Sequence, residues 1–291
     1  MKKIILTVVG LLAVAVTVGC LYGTAHTLFD RNDRRTLKGS GRLVTRTFDT
    51  ARFDGVYASN TADVTIVKGS GPITIEADDN VMEYVVVKVV EGCLRIKLDT
   101  DKRYNGFNDV TFRATVPSDG RLSELKASGA AKIVAEPVLA TDDIEFDASG
   151  AAKIVAMVDC KSCEIDISGA SNAEIGGNIG MCEADVSGAA KLKLVARTAA
   201  CEFEASGAAK ITAVGAADKC GLSASGAAKI DASEFVAADC EAGASGSGKV
   251  SIDCTRRLSA HASGAGKIVY KSREGLSVTA SKSGAGSVNE R

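Results

Sequence analysis

From residue 128 to residue 287 the chain alternates apolar and polar residues in short runs, and each run is followed by Ser-Gly and a small residue. The Ser-Gly pair returns nine times, at Ser128, Ser149, Ser168, Ser187, Ser206, Ser225, Ser245, Ser263 and Ser283, in steps of 21, 19, 19, 19, 19, 20, 18 and 20 residues. Five residues before the serine stand Ile144, Cys163, Cys182, Cys201, Cys220, Cys240, Leu258 and Val278; three before it stand Leu125, Phe146, Ile165, Ala184, Phe203, Leu222, Ala242 and Ala260. Between these apolar positions lie Glu145 and Asp147, Glu164 and Asp166, Glu183 and Asp185, Glu202 and Glu204, which a core could not hold unpaired. Period 2 with one apolar side predicts a strand with one buried face.

The Ser-Gly pair predicts a bend, because Gly adopts backbone angles that residues with a Cβ resist and Ser supports local turns. A second strand follows, with Ile133, Ile154, Leu192, Ile211, Ile230, Val250 and Ile268 in one inward column. A rung of this length leaves room for two or three short strands and their corners, and for no helix. A fixed period near 20 is the mark of a solenoid. The sequence therefore predicts an all-β fold, a right-handed parallel β-helix with about nine rungs of 19–20 residues over residues 122–291. Its rungs would stack into a rod on the order of 40 Å long.

The chain begins with a basic Met1-Lys2-Lys3 and an apolar run over residues 4–18, the layout of a secretory signal. Residues 1–20 end in Thr17-Val18-Gly19-Cys20, which resembles a bacterial lipobox with Thr17 where Leu is usual, and Cys20 is the residue that would be acylated. Cleavage further on, near Ala25, and retention as an anchor are the other readings; all three export the chain. Residues 21–41 are polar, with Arg31, Arg34, Arg35 and Lys38, and read as a tether.

Residues 42–121 are β-rich but do not repeat, and read as a cap on the first rung. Strands are expected at 53–57, 62–67, 73–76, 85–90, 94–98 and 110–116, a short helical turn within 78–83, and turns at 68–72, Glu91-Gly92 and Tyr104-Asn105-Gly106. The landmarks Phe53-Asp54-Gly55-Val56, Asp63-Val64-Thr65-Ile66, Glu76-Ala77-Asp78-Asp79-Asn80, Gly92-Cys93-Leu94-Arg95-Ile96 and Val116-Pro117, leading into Leu125-Lys126-Ala127-Ser128-Gly129-Ala130-Ala131-Lys132, resemble the "head GIN" domain family of autotransporter adhesins. The resemblance covers residues 45–288. It implies a β-helical surface or periplasmic protein of the kind Bacteroidetes export, often as lipoproteins, and it brings no catalytic residues with it.

Composition narrows the functions. The net charge is −1, aromatics are 4% and Trp is absent, so no basic stripe interleaved with aromatics points to nucleic acid, and no row of aromatics points to a sugar-stacking cleft. Nine cysteines in an exported chain would ordinarily suggest disulfides. Cys163, Cys182, Cys201, Cys220 and Cys240, however, share one inward register and read as a structural column filling the slot of Ile144 and Leu258. Sulfurs in a line neither bridge readily nor converge on a metal, and Cys160-Lys161-Ser162-Cys163 lacks the context of a thioredoxin site.

Gly243-Ala244-Ser245-Gly246-Ser247-Gly248-Lys249-Val250 has the spacing of a phosphate-binding loop, but Val250 stands where Ser or Thr is needed. Lys249 instead belongs to a column with Lys132, Lys153, Lys191, Lys210, Lys229 and Lys267. Ser-to-Lys spacing is four, and His26 and His261 have no nucleophile at a fixed relation, so no triad is indicated. The carboxylates Glu145, Glu164, Glu183 and Glu202, and Asp147, Asp166, Asp185 and Glu204, should stack in two like-charged columns. They could form a solvated face, a weak divalent-cation site or a dock for a basic partner. With the lysine column they are the candidate interaction faces. No catalytic residue, cofactor or metal is expected. The function expected is that of an exported, non-enzymatic surface or envelope protein that adheres to an extracellular or envelope protein or glycan, its membrane attachment the lipid at Cys20. A polysaccharide-acting β-helix enzyme and a self-assembling rod are the alternatives.

Overall fold

The computed structural model describes residues 35–100 and 103–291; the signal, lipobox and most of the tether lie outside them. Among the described residues there is no α-helix, only a 3-10 turn at Met82–Tyr84. The chain is an all-β solenoid of parallel stacked coils, about nine turns in all.

Each coil is made by the same three events. A strand such as Asp143–Ala148 enters with Ile144, Phe146 and Ala148 buried. It ends at Ser149-Gly150, where the chain turns, and it resumes in Lys153–Ile167, which passes two corners to become the entering strand of the next coil. Lys191–Ala205 and Lys210–Ala224 repeat this path. Adjacent coils pair in parallel and in register, so equal positions of the repeat lie over one another. Ile144 pairs with Cys163, Cys163 with Cys182, Cys182 with Cys201, Cys201 with Cys220, Cys220 with Cys240 and Cys240 with Leu258. The coils of unequal length keep these columns by placing the difference in corners. The 20-residue step to Ser245, for example, is taken up by a register shift between Thr212 and Val214.

The turn itself forms a ladder. Gly129, Gly150, Gly169 and Gly188 have φ between +70° and +78°, a region that Cβ-bearing residues resist. The amide of Ala189 donates to the carbonyl of Gly169 at 2.7 Å, and Ala208 to Gly188 at the same distance. The coils approach so closely here that a Cβ on Gly188 would sit 2.7 Å from that same Gly169 oxygen.

The in-register stack begins earlier than the Ser-Gly marks. Gly55–Ala58 pairs in parallel with Glu124–Ala127, and Asp63–Lys68 with Lys132–Ala135. Ser59-Asn60-Thr61-Ala62 between them is the same turn, with Asn60 at φ 64° in the glycine slot. Asn is among the few residues that tolerate this conformation, and its side-chain Oδ1 accepts from the Leu98 amide at 3.0 Å. The chain then doubles back beneath this first coil. Cys93–Leu98 and Phe112–Ser118 pair with it in parallel, and Val85–Val90, Ile73–Asp78 and Leu43–Phe48 complete the end with antiparallel pairings. An antiparallel, partly charged outer strand is one of the ways a sheet edge is blunted.

Two local expectations are corrected. Arg35–Lys38, assigned by composition to the tether, is a strand paired in parallel with Tyr104–Asn108, and Leu37 is buried. Tyr104-Asn105-Gly106 is therefore strand and not a turn: pairing of the backbone outweighs the local Asn-Gly preference. These two strands group together as a unit of their own, and the coils and their cap form the other.

Candidate interaction faces

The strands entering the Ser-Gly turn carry the carboxylates outward. Glu124, Glu145, Glu164, Glu183 and Glu202 are successive Cα partners, and so are Lys126, Asp147, Asp166, Asp185 and Glu204. Both columns lie on one sheet, separated by the buried column that holds Phe146, Ile165, Ala184 and Phe203. Further on the same columns turn neutral, at Gly221 and Ser223.

The two ends of this block differ. Lys126 Nζ lies 2.8 Å from Glu124 and 2.9 Å from Glu145, and these two carboxylates raise its pKa. Beyond it, among the described residues, Glu164, Asp166, Glu183, Asp185, Glu202 and Glu204 have no cation within ion-pair distance. Burial, and then the charges of Glu164, Asp185 and Asp147, push the Asp166 carboxyl up; burial also raises Asp147. A raised carboxyl contributes stability below the unfolded aspartate pKa of about 3.9 and loses it as pH rises through the folded value. Asp166→Asn is therefore expected to raise the melting temperature at neutral pH, by an increment worth less than about 1 kcal/mol at this exposed position. The gain should close by about pH 3, where the native side chain is itself protonated. Thermal melts at both pH values check this, and an equal gain at both would contradict it.

The lysine column lies on the strands leaving the turn, in register from Lys132 through Lys153, Asn172, Lys191, Lys210, Lys229 and Lys249 to Lys267. Lys132 pairs with Asp63, Lys153 with Glu174 and Lys229 with Asp231, at 3.3, 2.8 and 3.0 Å. Lys191, Lys210, Lys249 and Lys267 are exposed and have no ion-pair partner among the described residues. The partners Asp63, Glu174 and Asp231 were missed because they lie on neighbouring coils or two residues along, outside the aligned Ser-Gly motif. The turn thus separates the unpaired carboxylates, on the strands entering it, from the unpaired lysines, on the strands leaving it. The segment after Lys249 is the strand Lys249–Ala262, not a helix.

The cysteine column lies inward. Cys163, Cys182, Cys201, Cys220 and Cys240 are all buried, and all eight cysteines among the described residues are free. Cys201 Sγ donates to Cys220 Sγ across 3.0 Å. Hydrogen bonding between thiols, followed by burial, raises Cys163, Cys220 and Cys240, which keeps them protonated and poorly nucleophilic. His261 lies outward, Nδ1 2.6 Å from Ser281 Oγ and Nε2 3.2 Å from Ser259 Oγ. Among the described residues no group of three or more His, Cys, Asp or Glu could hold a metal ion.

The chain matches the family described as "Putative auto-transporter adhesin, head GIN domain" over residues 52–201 and 189–273. It belongs to the head GIN domain family. Three crystal structures of low sequence identity share the fold seen here. A putative adhesin from Parabacteroides merdae is 21% identical with a TM-score of 0.66, covering 88% of this chain and 99% of that one. A putative adhesin and a putative lipid binding protein, both from Parabacteroides distasonis, are 22% and 24% identical with TM-scores of 0.63 and 0.60, each covering 88% of this chain and 100% of its own. No curated protein matches. No helix among the described residues is long and apolar enough to cross a membrane, which does not bear on β-barrels.

Proposed function

We propose that this head GIN domain is an exported, non-enzymatic adhesin, held at the cell envelope by a lipid on Cys20, that docks a basic protein surface on its acidic sheet. The observation that carries the reading is the run Glu164, Asp166, Glu183, Asp185, Glu202 and Glu204, two in-register columns of carboxylates without compensating cations among the described residues. Like charges placed directly over one another are unfavourable in the free protein, so a cationic partner would relieve a repulsion as well as form contacts. Extended faces built by successive repeats are how solenoids bind. Family membership supports export and adhesion, and the absence of catalytic residues from the family resemblance supports a binding role.

The full chain is expected to bind immobilised polylysine and to release it as salt rises past about 0.15 M, where charges are screened beyond ~8 Å. A triple variant, Asp166→Asn, Glu183→Gln and Asp185→Asn, should bind at least about tenfold more weakly, the loss of ~1.4 kcal/mol. Binding to polyglutamate, or unchanged binding by the variant, would overturn the reading. Protease treatment of intact cells gives the location: digestion of the domain is expected, and protection would contradict a surface role.

A further inference from the structure

A cleft of about 420 Å³ opens on the same sheet, at the end where the carboxylate columns meet cations. It is built by three strands that are far apart in sequence. Arg95, Tyr57 and Lys126 are Cα partners on Cys93–Leu98, Gly55–Ala58 and Glu124–Ala127, and Asp147 follows. In the adjacent column Gly55 stands between Cys93 and Glu124. The missing side chain leaves room for its neighbours to fold over it at the cleft's edge: a Cβ on Gly55 would meet Glu124 Oε2 at 2.9 Å and Cys93 Sγ at 3.4 Å.

Most polar groups here are already engaged. The Tyr57 hydroxyl shares a hydrogen bond with Ser128 Oγ at 2.8 Å. Lys126 is held by Glu124 and Glu145. Burial, reinforced by the Glu124 carboxylate, pushes the Cys93 thiol up to about 12, so the thiol stays neutral. Of the two lining cations, Arg95 is the exception. Its Nε is buried without a hydrogen-bond partner, and among the described residues its guanidinium has no ion pair. The residue opposite it on the antiparallel strand is Lys88, another cation. A buried donor without an acceptor is unfavourable, and an oxyanion held by the guanidinium would supply the acceptor that the chain does not.

We propose that this cleft is a binding subsite for a sugar acid, a pyranose bearing one carboxylate. The planar guanidinium of Arg95 matches a carboxylate in a forked pair. Tyr57 supplies aromatic surface for the ring, and Ser128, Ser149 and Asp147 supply partners for hydroxyls. Charge decides against a phosphate. Glu91, Glu124 and Asp147 line the same cleft and Lys126 is already paired, so Arg95 is the one lining cation left for a ligand, and a doubly charged phosphate would meet more repulsion from these carboxylates than a single carboxylate does. A single aromatic also fits one sugar residue and not an extended chain, consistent with a composition poor in aromatics. The subsite is distinct from the acidic sheet beyond Asp147 and does not depend on its docking a basic partner.

The test is titration of the full chain, by calorimetry or ligand-observed NMR, with glucuronate, galacturonate and N-acetylneuraminate, and with glucuronamide, glucose and inorganic phosphate as comparisons. At least one sugar acid should saturate, and for glucuronate the neutral amide should bind about tenfold more weakly or worse. Arg95→Gln should remove the preference for acid over amide, while the triple variant of the acidic sheet should keep it. The comparison of acid with amide uses the native chain and so stands even if Arg95→Gln misfolds. No saturation by any of the three acids, equal binding of acid and amide, tighter binding of phosphate, or an undiminished preference in a folded Arg95→Gln would each overturn the proposal.

Discussion

Phe203→Ala is expected to lower the stability of the coiled unit by about 3–5 kcal/mol. Phe203 is fully buried on the strand Lys191–Ala205. Its column neighbours are Ala184 on one coil and Leu222 on the other, so a large ring sits over a methyl, and the methyl cannot grow into the vacated space. The ring also meets Phe235 edge-on, with centroids 5.9 Å apart and planes at 64°. That contact is worth about 0.5–1.5 kcal/mol beyond the buried area. Because each coil touches only those close to it in the stack, the loss should be local as well as global. Hydrogen exchange should quicken first in residues 172–244, which include the strand of Phe235, while the cap keeps its protection. Phe203→Leu, which keeps most of the volume, should retain most of the stability. Urea midpoints for the two variants decide the matter, and a Phe203→Ala loss below about 1 kcal/mol would mean that the column does not pack as a core.

The second large effect is expected at the turn ladder. In Gly188→Ala the new Cβ would lie 2.7 Å from the Gly169 carbonyl oxygen and 3.1 Å from its nitrogen, at φ +71°. That oxygen accepts the Ala189 amide, so neither atom can withdraw without breaking the rung-to-rung bond. Backbone strain and the clash together should remove about 2–4 kcal/mol. Gly275→Ala separates the two contributions: φ is +82°, but nothing lies within 4 Å of the added carbon. Only the left-handed penalty of about 1–2 kcal/mol remains there. Equal losses at the two sites would show that the close approach of coils at Gly188 is not what requires glycine.

The repeating part of this fold was legible because one period governs it. Once Cys163, Cys182 and Cys201 are aligned, the glutamates beside them must point the other way, and parallel stacking places each over its copy. The alignment failed where the signal left the period. Ser59-Asn60 performs the Ser-Gly turn, but Asn in the glycine slot hides it; the clue was Ala58 before and Ala62 after, matching Ala127 and Ala131. Arg35–Lys38 and Tyr104–Asn108 were misread because each segment takes its conformation from the other, across about 70 residues of chain. The cleft around Arg95 was invisible for the same reason. Tyr57, Arg95 and Lys126 come from three segments whose order in space is not their order in sequence, and only the doubling back beneath the first coil brings them side by side.

The distance between two positions of one column tests the account most directly. Glu145 and Glu241 should be five coils apart, through Glu164, Glu183, Glu202 and Gly221. At about 4.8 Å per coil that places them roughly 24 Å apart. Spin labels carried on a ketone-bearing amino acid at these two sites, which leaves the native cysteines untouched, should give a single dipolar distance near that value, broadened only by the label. A distance well beyond it, or a distribution without a peak, would contradict the in-register stack and with it the charged faces built on that stack.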